Sequence, residues 1–329
     1  MTLTATFLFG AIATVALSIA VTQSLARYVE VKFPPAGHFR SVGGTRLHFL
    51  EENSDSDSSP VIFLHGAGGN ARDLYSAMAG KLNGLGRAIF LDRPGSGYSD
   101  ALPRPENASI ERQADLVAGL MDELGLARAI IVGHSLGGAV ALALALNHPG
   151  HVTSLVLAAP ATHPWPGGRL SWYYRIARMP IAGWMFIETL TIPIGHLLYR
   201  PTVGQIFAPD PVPADYPDGS ATRLILRPDN FRNNARDVAA LYSNLQRLSK
   251  RYREIDIPVT IVTGDCDSVV APQQHAFKLA SELRKARLVT LADTGHMPLH
   301  VKPDLAADEI RRLVAQKKLF DNRLASPLT

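Results

Sequence analysis

The segment Ala129–Gly138 reads Ala-Ile-Ile-Val-Gly-His-Ser-Leu-Gly-Gly. Its apolar, β-branched start predicts a strand over Ile130–Val132, which Gly133 ends. A run of helix formers after Gly137 predicts a helix, so that Ser135 stands at the tip of a tight turn between strand and helix. Such a turn holds its serine in a strained backbone conformation that lifts Oγ clear of the sheet. The segment therefore predicts a nucleophilic serine at the centre of an α/β fold.

The glycines of this Gly-x-Ser-x-Gly pattern serve a steric purpose. Strand and helix pass so close to each other that Cβ atoms at positions 133 and 137 would collide. The helix that begins near Leu136 directs its N-terminal amides and its dipole toward the place where an oxyanion would form. The turn thus supplies both a nucleophile and part of its electrostatic support.

The composition excludes several classes of protein. The chain has 329 residues, of which 47% are hydrophobic and 19% charged, so it is not a disordered polypeptide. The single cysteine, Cys266, excludes an internal disulfide, and we expect it to be a small buried residue. The formal charge of +4 is too small for a nucleic-acid footprint, and no nucleic-acid-binding motif accompanies it. Nucleic acid is therefore not an expected partner.

The N-terminal segment is apolar and long enough to cross a bilayer. Leu3–Ala26 carries no charged side chain, and a helix of that length reaches about 36 Å at about 1.5 Å per residue. A secretory signal peptide is the alternative, because Ser24–Ala26 offers a small-x-small cleavage site, although no Lys or Arg precedes the apolar run. We expect a retained single-pass anchor at residues 1–27, followed by a juxtamembrane linker at residues 28–38.

The bilayer is thus an expected partner, and a bacterial inner membrane is the expected location. Arg27 and Lys32 follow the apolar run and favour a cytoplasmic catalytic domain, but long domains often override so small a bias. The side of the membrane and a homodimer through the anchor are left open.

Strands alternate with helices over most of the remaining chain. Two strands joined at Gly43-Gly44 predict a hairpin, and the other predicted strands are Pro60–Leu64, Ala88–Leu91, Ile130–Val132, Val152–Ala158, Val259–Val262 and Leu288–Leu291. This alternation predicts a mostly parallel central sheet with helices on both faces, and active residues at the carboxyl ends of the strands. We assign this core to residues 39–162 and 232–329.

The alternation stops between residues 163 and 231. This stretch holds all three tryptophans, Trp165, Trp172 and Trp184, and further aromatic residues. We interpret it as an inserted helical lid over the carboxyl ends of the strands. Most of its aromatic side chains would fill the lid's own core, and some would face a pocket below.

A serine nucleophile needs a base within hydrogen-bond reach and an acid that orients the base. His296 follows the last predicted strand and a turn glycine, on a loop that could reach back over Ser135, so we assign it as the base. The remaining candidate histidines are expected at the surface: His148, His151, His163, His196, His275 and His300.

The acid is expected after the Val259–Val262 strand, where Asp265 and Asp267 are both available. We favour Asp267, because it stands at the mouth of the next helix, whereas Asp265 is closer to the strand end and better placed to hold the turn. Asp293 and Asp92 are weaker candidates.

Backbone amides are expected to form the oxyanion hole. Leu136 follows the nucleophile, and Ala67 lies in the glycine-rich loop His65–Gly69 after the Pro60–Leu64 strand. The same loop lacks a following Gly-Lys-Ser/Thr for phosphate binding. His65 and His134 show no metal-ligand spacing. No metal and no cofactor are expected.

Together these motifs resemble the α/β-hydrolase fold family, in its serine esterase and lipase branch. The resemblance covers roughly positions 39–316 and rests on five motifs in order: His65–Gly69, Asp92–Gly97, Gly133–Gly138, Gly264–Asp267 and Gly295-His296. The apolar N-terminus is similar to that of membrane-bound bacterial esterases and phospholipases of the family. One departure is Val301, where relatives often carry a glutamate five residues after the histidine.

The resemblance implies a carboxylic ester hydrolase, possible phospholipase A-like action included, on a small-molecule ester or lipid with an apolar acyl group. C–C bond hydrolases, amidases and perhydrolases use the same machinery and stay open as alternatives. A ligand-binding protein that kept the fold without turnover is a further alternative.

Overall fold

The computed structural model describes residues 3–54, 58–103, 108–168 and 170–325. Within them, one sheet of eight strands has the order β1-β2-β4-β3-β5-β6-β7-β8. The strands are β1 (His38–Val42), β2 (Thr45–Glu52), β3 (Val61–Leu64), β4 (Ala88–Leu91), β5 (Ala129–His134), β6 (Val152–Ala158), β7 (Val259–Gly264) and β8 (Ala286–Leu291).

The sheet is mostly parallel, as predicted. All neighbours from β4 to β8 run parallel, whereas β1 pairs with β2, and β2 with β4, in the antiparallel sense. The β1–β2 hairpin turns at Gly43 and Gly44, whose φ angles of 54° and 81° suit glycine. Parallel strands place their carboxyl ends, and the loops that follow them, at one edge of the sheet.

Helices cover both faces of the sheet. They are α1 (Leu3–Lys32), α2 (Ala71–Met78), α3 (Ile110–Glu123), α4 (Leu136–Asn147), α5 (Trp172–Ala177), α6 (Pro180–Phe186), α7 (Ile192–Phe207), α8 (Tyr216–Gly219), α9 (Pro228–Leu248), α10 (Ala276–Glu282), α11 (Pro298–Val301) and α12 (Pro303–Ala325). Helices α3, α4, α9 and α10 pack on one face, and α2 and α12 on the other. Side chains of β3 alternate between these two cores, since Ile62 and Leu64 face the first and Val61 and Phe63 the second.

The inserted segment between β6 and β7 is helical. Helices α6 and α7 are joined by a π-helical turn at Ile187–Thr191 and form one continuous helix, Pro180–Phe207. Helix α9 begins at Pro228, so the predicted end of the lid at residue 231 lies inside this helix. We call residues 163–227 the lid.

The N-terminal helix differs from its prediction at its end. Helix α1 continues through Tyr28 to Lys32, and the chain leaves it only before Pro34-Pro35. The first five residues of the predicted linker are therefore helical, because Val29 and Phe33 are buried against Ala221 and Leu224 of the lid. The domain assignments at residues 1–2, 55–57, 104–107, 169 and 326–329 lie outside the described residues.

Two helices of the described residues are long and apolar enough to cross a membrane, Thr4–Lys32 and Pro180–Phe207. Length and composition are weak grounds, since a signal sequence near the N-terminus and a core helix pass the same test.

Candidate active site

The turn around Ser135 has the strained geometry expected of it. Ser135 has φ 52° and ψ −118° between β5 and α4. A Cβ at Gly133 would lie 2.6 Å from the carbonyl oxygen of Gly137 and 2.7 Å from Cα of Gly138. A Cβ at Gly137 would collide with the carbonyl of Leu64 instead. Glycine at both positions therefore lets the helix approach β5 and the neighbouring strand β3.

Three predicted site residues meet in one hydrogen-bonded chain. Nε2 of His296 lies 3.1 Å from Oγ of Ser135, and Nδ1 of His296 lies 2.8 Å from Oδ2 of Asp267. All three residues are at most 9% exposed. Because Asp267 holds Nδ1, Nε2 faces Ser135 and is free to accept its proton.

Asp267 is the carboxylate that reaches His296, and Asp265 is not. Oδ1 of Asp267 accepts the amides of Val269 and Val270, both at 2.8 Å. Burial opposes the charge on Asp267, but the hydrogen bonds from His296 and these amides hold its pKa below the ordinary value. Asp265 is exposed, and its amide donates to Leu291, so it belongs to the turn.

Cys266 lies between these two carboxylates and is exposed, so the prediction of a buried cysteine is wrong. The turn after β7 directs Asp267 inward, and this leaves the preceding residue facing solvent.

The glycine-rich loop after β3 borders Ser135. Ala67 and Leu136 both line the cavity beside the serine. Leu136 is the first residue of α4, so its amide has no partner within that helix. The amide of Leu136 is therefore available where the oxyanion hole is predicted, and Ala67 lines the same cavity.

Buried His65 and Arg93 hold this loop. Nε2 of His65 accepts the amide of Arg93 at 3.0 Å, so Nδ1 carries the proton donated to the carbonyl of Gly66 at 2.8 Å. Burial, with Arg93 nearby, lowers the pKa of His65 to about 3. The guanidinium of Arg93 donates to the carbonyls of His65 and Gly66 at 2.9 and 3.2 Å.

Asn234 connects the oxyanion loop to the lid. Its Oδ1 accepts the amide of Gly68 at 2.8 Å, and its Nδ2 donates to the hydroxyl of Tyr174 at 3.1 Å. Sequence reasoning missed Arg93 and Asn234 as supports of the site, because their partners are distant in the chain. Arg93 lies in the Asp92–Gly97 motif, but the motif alone does not show what its side chain holds.

A second buried pair was also missed. Nε2 of His300 lies 3.0 Å from Oδ1 of Asp73, and both side chains are at most 5% exposed. Burial opposes the charge on Asp73, but the hydrogen bond from His300 holds its pKa below the ordinary value. The pair connects α11, which follows the loop of His296, to α2. His300 directly precedes Val301, which stands at the position where relatives often have a glutamate.

The expectation of surface positions was wrong for His163 and His275 as well as for His300. Both are at most 5% exposed, and Nδ1 of His275 accepts the amide of Thr162 at 3.1 Å. The ring of His163 contacts Tyr252 and lies 3.1 Å from Glu282 of α10, and His275 packs against Thr162. Local sequence does not reveal these contacts between distant segments.

A large cavity lies between Ser135 and the lid. Its volume is about 1100 Å³, at the upper end for small-molecule sites. Its walls come largely from apolar lid residues, among them Trp165, Trp172, Leu190 and Ile194. None of the described residues that line it is a lysine or an arginine.

Comparison with known proteins agrees with this geometry. Residues 59–303 match the alpha/beta hydrolase fold family. The chain belongs to the alpha/beta hydrolase fold family. One relative of this alpha/beta hydrolase is a 2-hydroxy-6-oxo-6-phenylhexa-2,4-dienoate hydrolase of Comamonas testosteroni. The two are 29% identical over 269 residues, which cover 80% of this chain and 89% of that protein. Lipase 3 of Moraxella sp. (strain TA144) is 25% identical over 288 residues, 86% of each chain.

Solved structures share the fold of this alpha/beta hydrolase. The enol-lactonase from Burkholderia xenovorans LB400 superposes with a TM-score of 0.69 at 22% identity, over 84% of this chain and 100% of that chain. At this identity the likeness shows the fold alone. The relatives include lipases and hydrolases of dienoates, so the family does not decide the bond that is cleaved.

Proposed function

We propose that this protein is a serine hydrolase that cleaves carboxylic esters with an apolar acyl group. The observation that carries the proposal is the chain from Ser135 through His296 to Asp267 at the floor of a large apolar cavity. The nucleophile, its base and the orienting acid are thus assembled where an acyl group can be buried.

Each group has a defined role in this reaction. His296 takes the proton of Ser135 as Oγ attacks the ester carbonyl, and Asp267 stabilises the imidazolium that forms. The amides of Ala67 and Leu136 receive the oxyanion, each worth about 3 kcal/mol in the transition state. His296 then gives its proton to the leaving alcohol, and a water molecule activated by His296 releases the acid.

The lining of the cavity favours a neutral substrate. A dienoate such as that of the Comamonas relative carries negative charge, and no described lining residue is a lysine or arginine that would pair with it. C–C bond hydrolysis is therefore the second candidate. The Comamonas relative supports it, and the lack of a lysine or arginine among the described lining residues disfavours it.

A fluorophosphonate probe and ester hydrolysis test the proposal. The native chain should be labelled and should hydrolyse p-nitrophenyl esters, whereas Ser135→Ala should lose labelling and lower kcat by about 10⁴-fold or more with the fold intact. Hydrolysis of 2-hydroxy-6-oxo-6-phenylhexa-2,4-dienoate, with no ester turnover, would favour the second candidate instead.

We also propose that α1 is a retained anchor in a bacterial inner membrane, rather than a cleaved signal. Ala26 packs against Ile192 and Leu226 of the lid, and cleavage after Ala26 would expose this contact. The intact protein should therefore sediment with membranes and resist carbonate washing. A mature N-terminus at Arg27 would contradict the anchor.

A further inference from the structure

Exposed apolar side chains are concentrated beside α1. Of the large apolar side chains exposed in the described residues, all but Val269 and Leu288 lie on α1 or at positions 172–198. Six of the exposed side chains at positions 172–198 define what we call the lid face: Ile181, Trp184, Leu190, Ile194, Leu197 and Leu198. Ile181 and Leu197 are 79% and 78% exposed, which is costly for a surface in water.

Charged residues lie at the margins of the lid face. Glu188 is the acidic residue of helix Pro180–Phe207, and its carboxylate accepts Nη2 of Arg232 at 2.8 Å and Nε2 of Gln23 at 3.2 Å. Arg178 and Arg200 are exposed just outside the two ends of the lid face. None of the six residues that define the lid face is itself ionised.

One side of helix α1 packs along the lid. Its covered positions recur every three or four residues, and they are Val15, Ser18, Ile19, Thr22, Leu25, Ala26 and Val29. Residues 4–14 are exposed throughout. The turn Ile187–Thr191, α7 and the segment Thr222–Leu226 are the parts of the lid next to α1.

The contact places the lid at the depth of the acyl chains. A spanning helix needs about 20 residues, so a membrane span that begins near Leu3 ends near Thr22. The covered positions of α1 already begin at Val15, about 10 Å before that end at about 1.5 Å per residue. An interfacial apolar face is buried by about 5–10 Å, which is the same depth.

The lid face also forms the rim of the cavity. Leu190, Ile194 and Leu198 line the cavity and are 42–50% exposed, and Trp172 lines it and is 64% exposed. The same side chains therefore face both the space above Ser135 and the outside of the protein.

We propose that the lid face inserts into the acyl layer of the bilayer and that the cavity takes its substrate laterally from it. The proposal names the substrate class, a long-chain ester dissolved in the membrane, and in that part it rests on the proposed esterase function. Insertion brings the acyl chain to the apolar rim without passage through water, and α1 holds the lid at the required depth.

Quenching by brominated phosphatidylcholine tests the insertion directly. The full chain is placed in vesicles as two variants that each keep one tryptophan: W165F/W172F keeps Trp184 on the lid face, and W172F/W184F keeps Trp165, which packs against the core. Trp184 should be quenched several-fold more strongly than Trp165. Equal quenching of the two would overturn the insertion.

Charged substitutions test the lateral route. Ile181→Glu and Leu197→Glu lie outside the cavity lining, so hydrolysis of p-nitrophenyl butyrate in solution should be unchanged. Hydrolysis of a long-chain ester in phosphatidylcholine vesicles should fall about tenfold, since a carboxylate resists the acyl layer. Leu288→Glu on β8 is the control and should leave both rates unchanged.

The outcomes separate this proposal from the proposed function. A native chain that hydrolyses no ester refutes the esterase, while quenching still decides the insertion. Vesicle rates unaffected by both charged substitutions refute the lateral route. A dimer in detergent that Leu197→Glu dissociates would make the lid face a contact between two copies, and would also overturn the proposal.

Discussion

The guanidinium of Arg93 lies 3.0 Å from Oδ2 of Asp237, and both side chains are at most 3% exposed. Through the same guanidinium, Arg93 also holds the carbonyls of His65 and Gly66, which precede Ala67. The ion pair with Asp237 of α9 therefore fixes the position of Ala67, whose amide is predicted to form part of the oxyanion hole.

Asp237→Asn should destabilise the protein and slow catalysis. Burial raises the pKa of Asp237, and Arg93 opposes this shift because it pairs with the carboxylate. Asparagine would leave the buried guanidinium of Arg93 without its counter-charge. We expect the free energy of unfolding to fall by about 3 kcal/mol and kcat to fall, as measured by urea unfolding and ester hydrolysis. Asp229→Asn is the control: its side chain is 89% exposed, and the loss should be under about 0.5 kcal/mol. Equal effects would show that the Arg93 pair does not position the loop.

Asp267→Asn should cost far more activity than Asp265→Asn. Asparagine cannot hold His296 in the required tautomer or stabilise its charge, and such a change costs about 10⁴-fold in kcat in a serine protease triad. The exposed Asp265 contacts neither His296 nor Ser135 among the bonds of the described residues. Steady-state kinetics on a soluble ester decides between them, and a more damaging Asp265 substitution would reverse the assignment.

Stability should fall as the pH is lowered from about 6.5 to about 4. Burial lowers the pKa of His65 to about 3, and those of His134 and His275 to about 4. In this window the unfolded chain binds protons that the folded chain does not, so stability is complete above the unfolded pKa and is lost below it. The slope is about 1.4 kcal/mol per pH unit for each histidine.

Urea unfolding of the full chain in detergent at several pH values measures this slope. His275→Asn should reduce it by about one proton, whatever its effect on absolute stability. Constant stability across the window would contradict the neutral state of the buried rings.

Activity should rise with acyl length from acetyl to medium-chain esters. Each CH₂ buried in the cavity contributes about 0.8 kcal/mol, or about fourfold in kcat/KM, until the cavity is filled. Leu198→Gln at the rim should flatten this profile, whereas Leu288→Gln on β8 should not. A preference that is flat or falling from acetyl upward, measured with p-nitrophenyl esters, would exclude an apolar acyl pocket.

Local sequence was sufficient for the parts of the molecule that obey local rules. The run Ile130–Val132, the glycines around Ser135 and the alternation of strands and helices predicted the sheet and the turn. Each of these depends on backbone sterics and hydrophobic periodicity within a few residues. The order of serine, acid and histidine then indicated Ser135 and His296, and the position of Asp267 at the mouth of the next helix favoured it over Asp265.

Only the tertiary structure decided what surrounds the site. Arg93 meets Asp237 from 144 positions away, Asn234 holds Gly68 from 166, and His300 holds Asp73 from 227. Burial of His163 and His275 and exposure of Cys266 likewise depend on which elements cover them. The packing of α1 along the lid joins two apolar segments that sequence treats separately. Sequence determined which residues could do the chemistry, because their types and turns are local; the fold alone decided their partners, burial and charge, because these arise from contacts between distant segments.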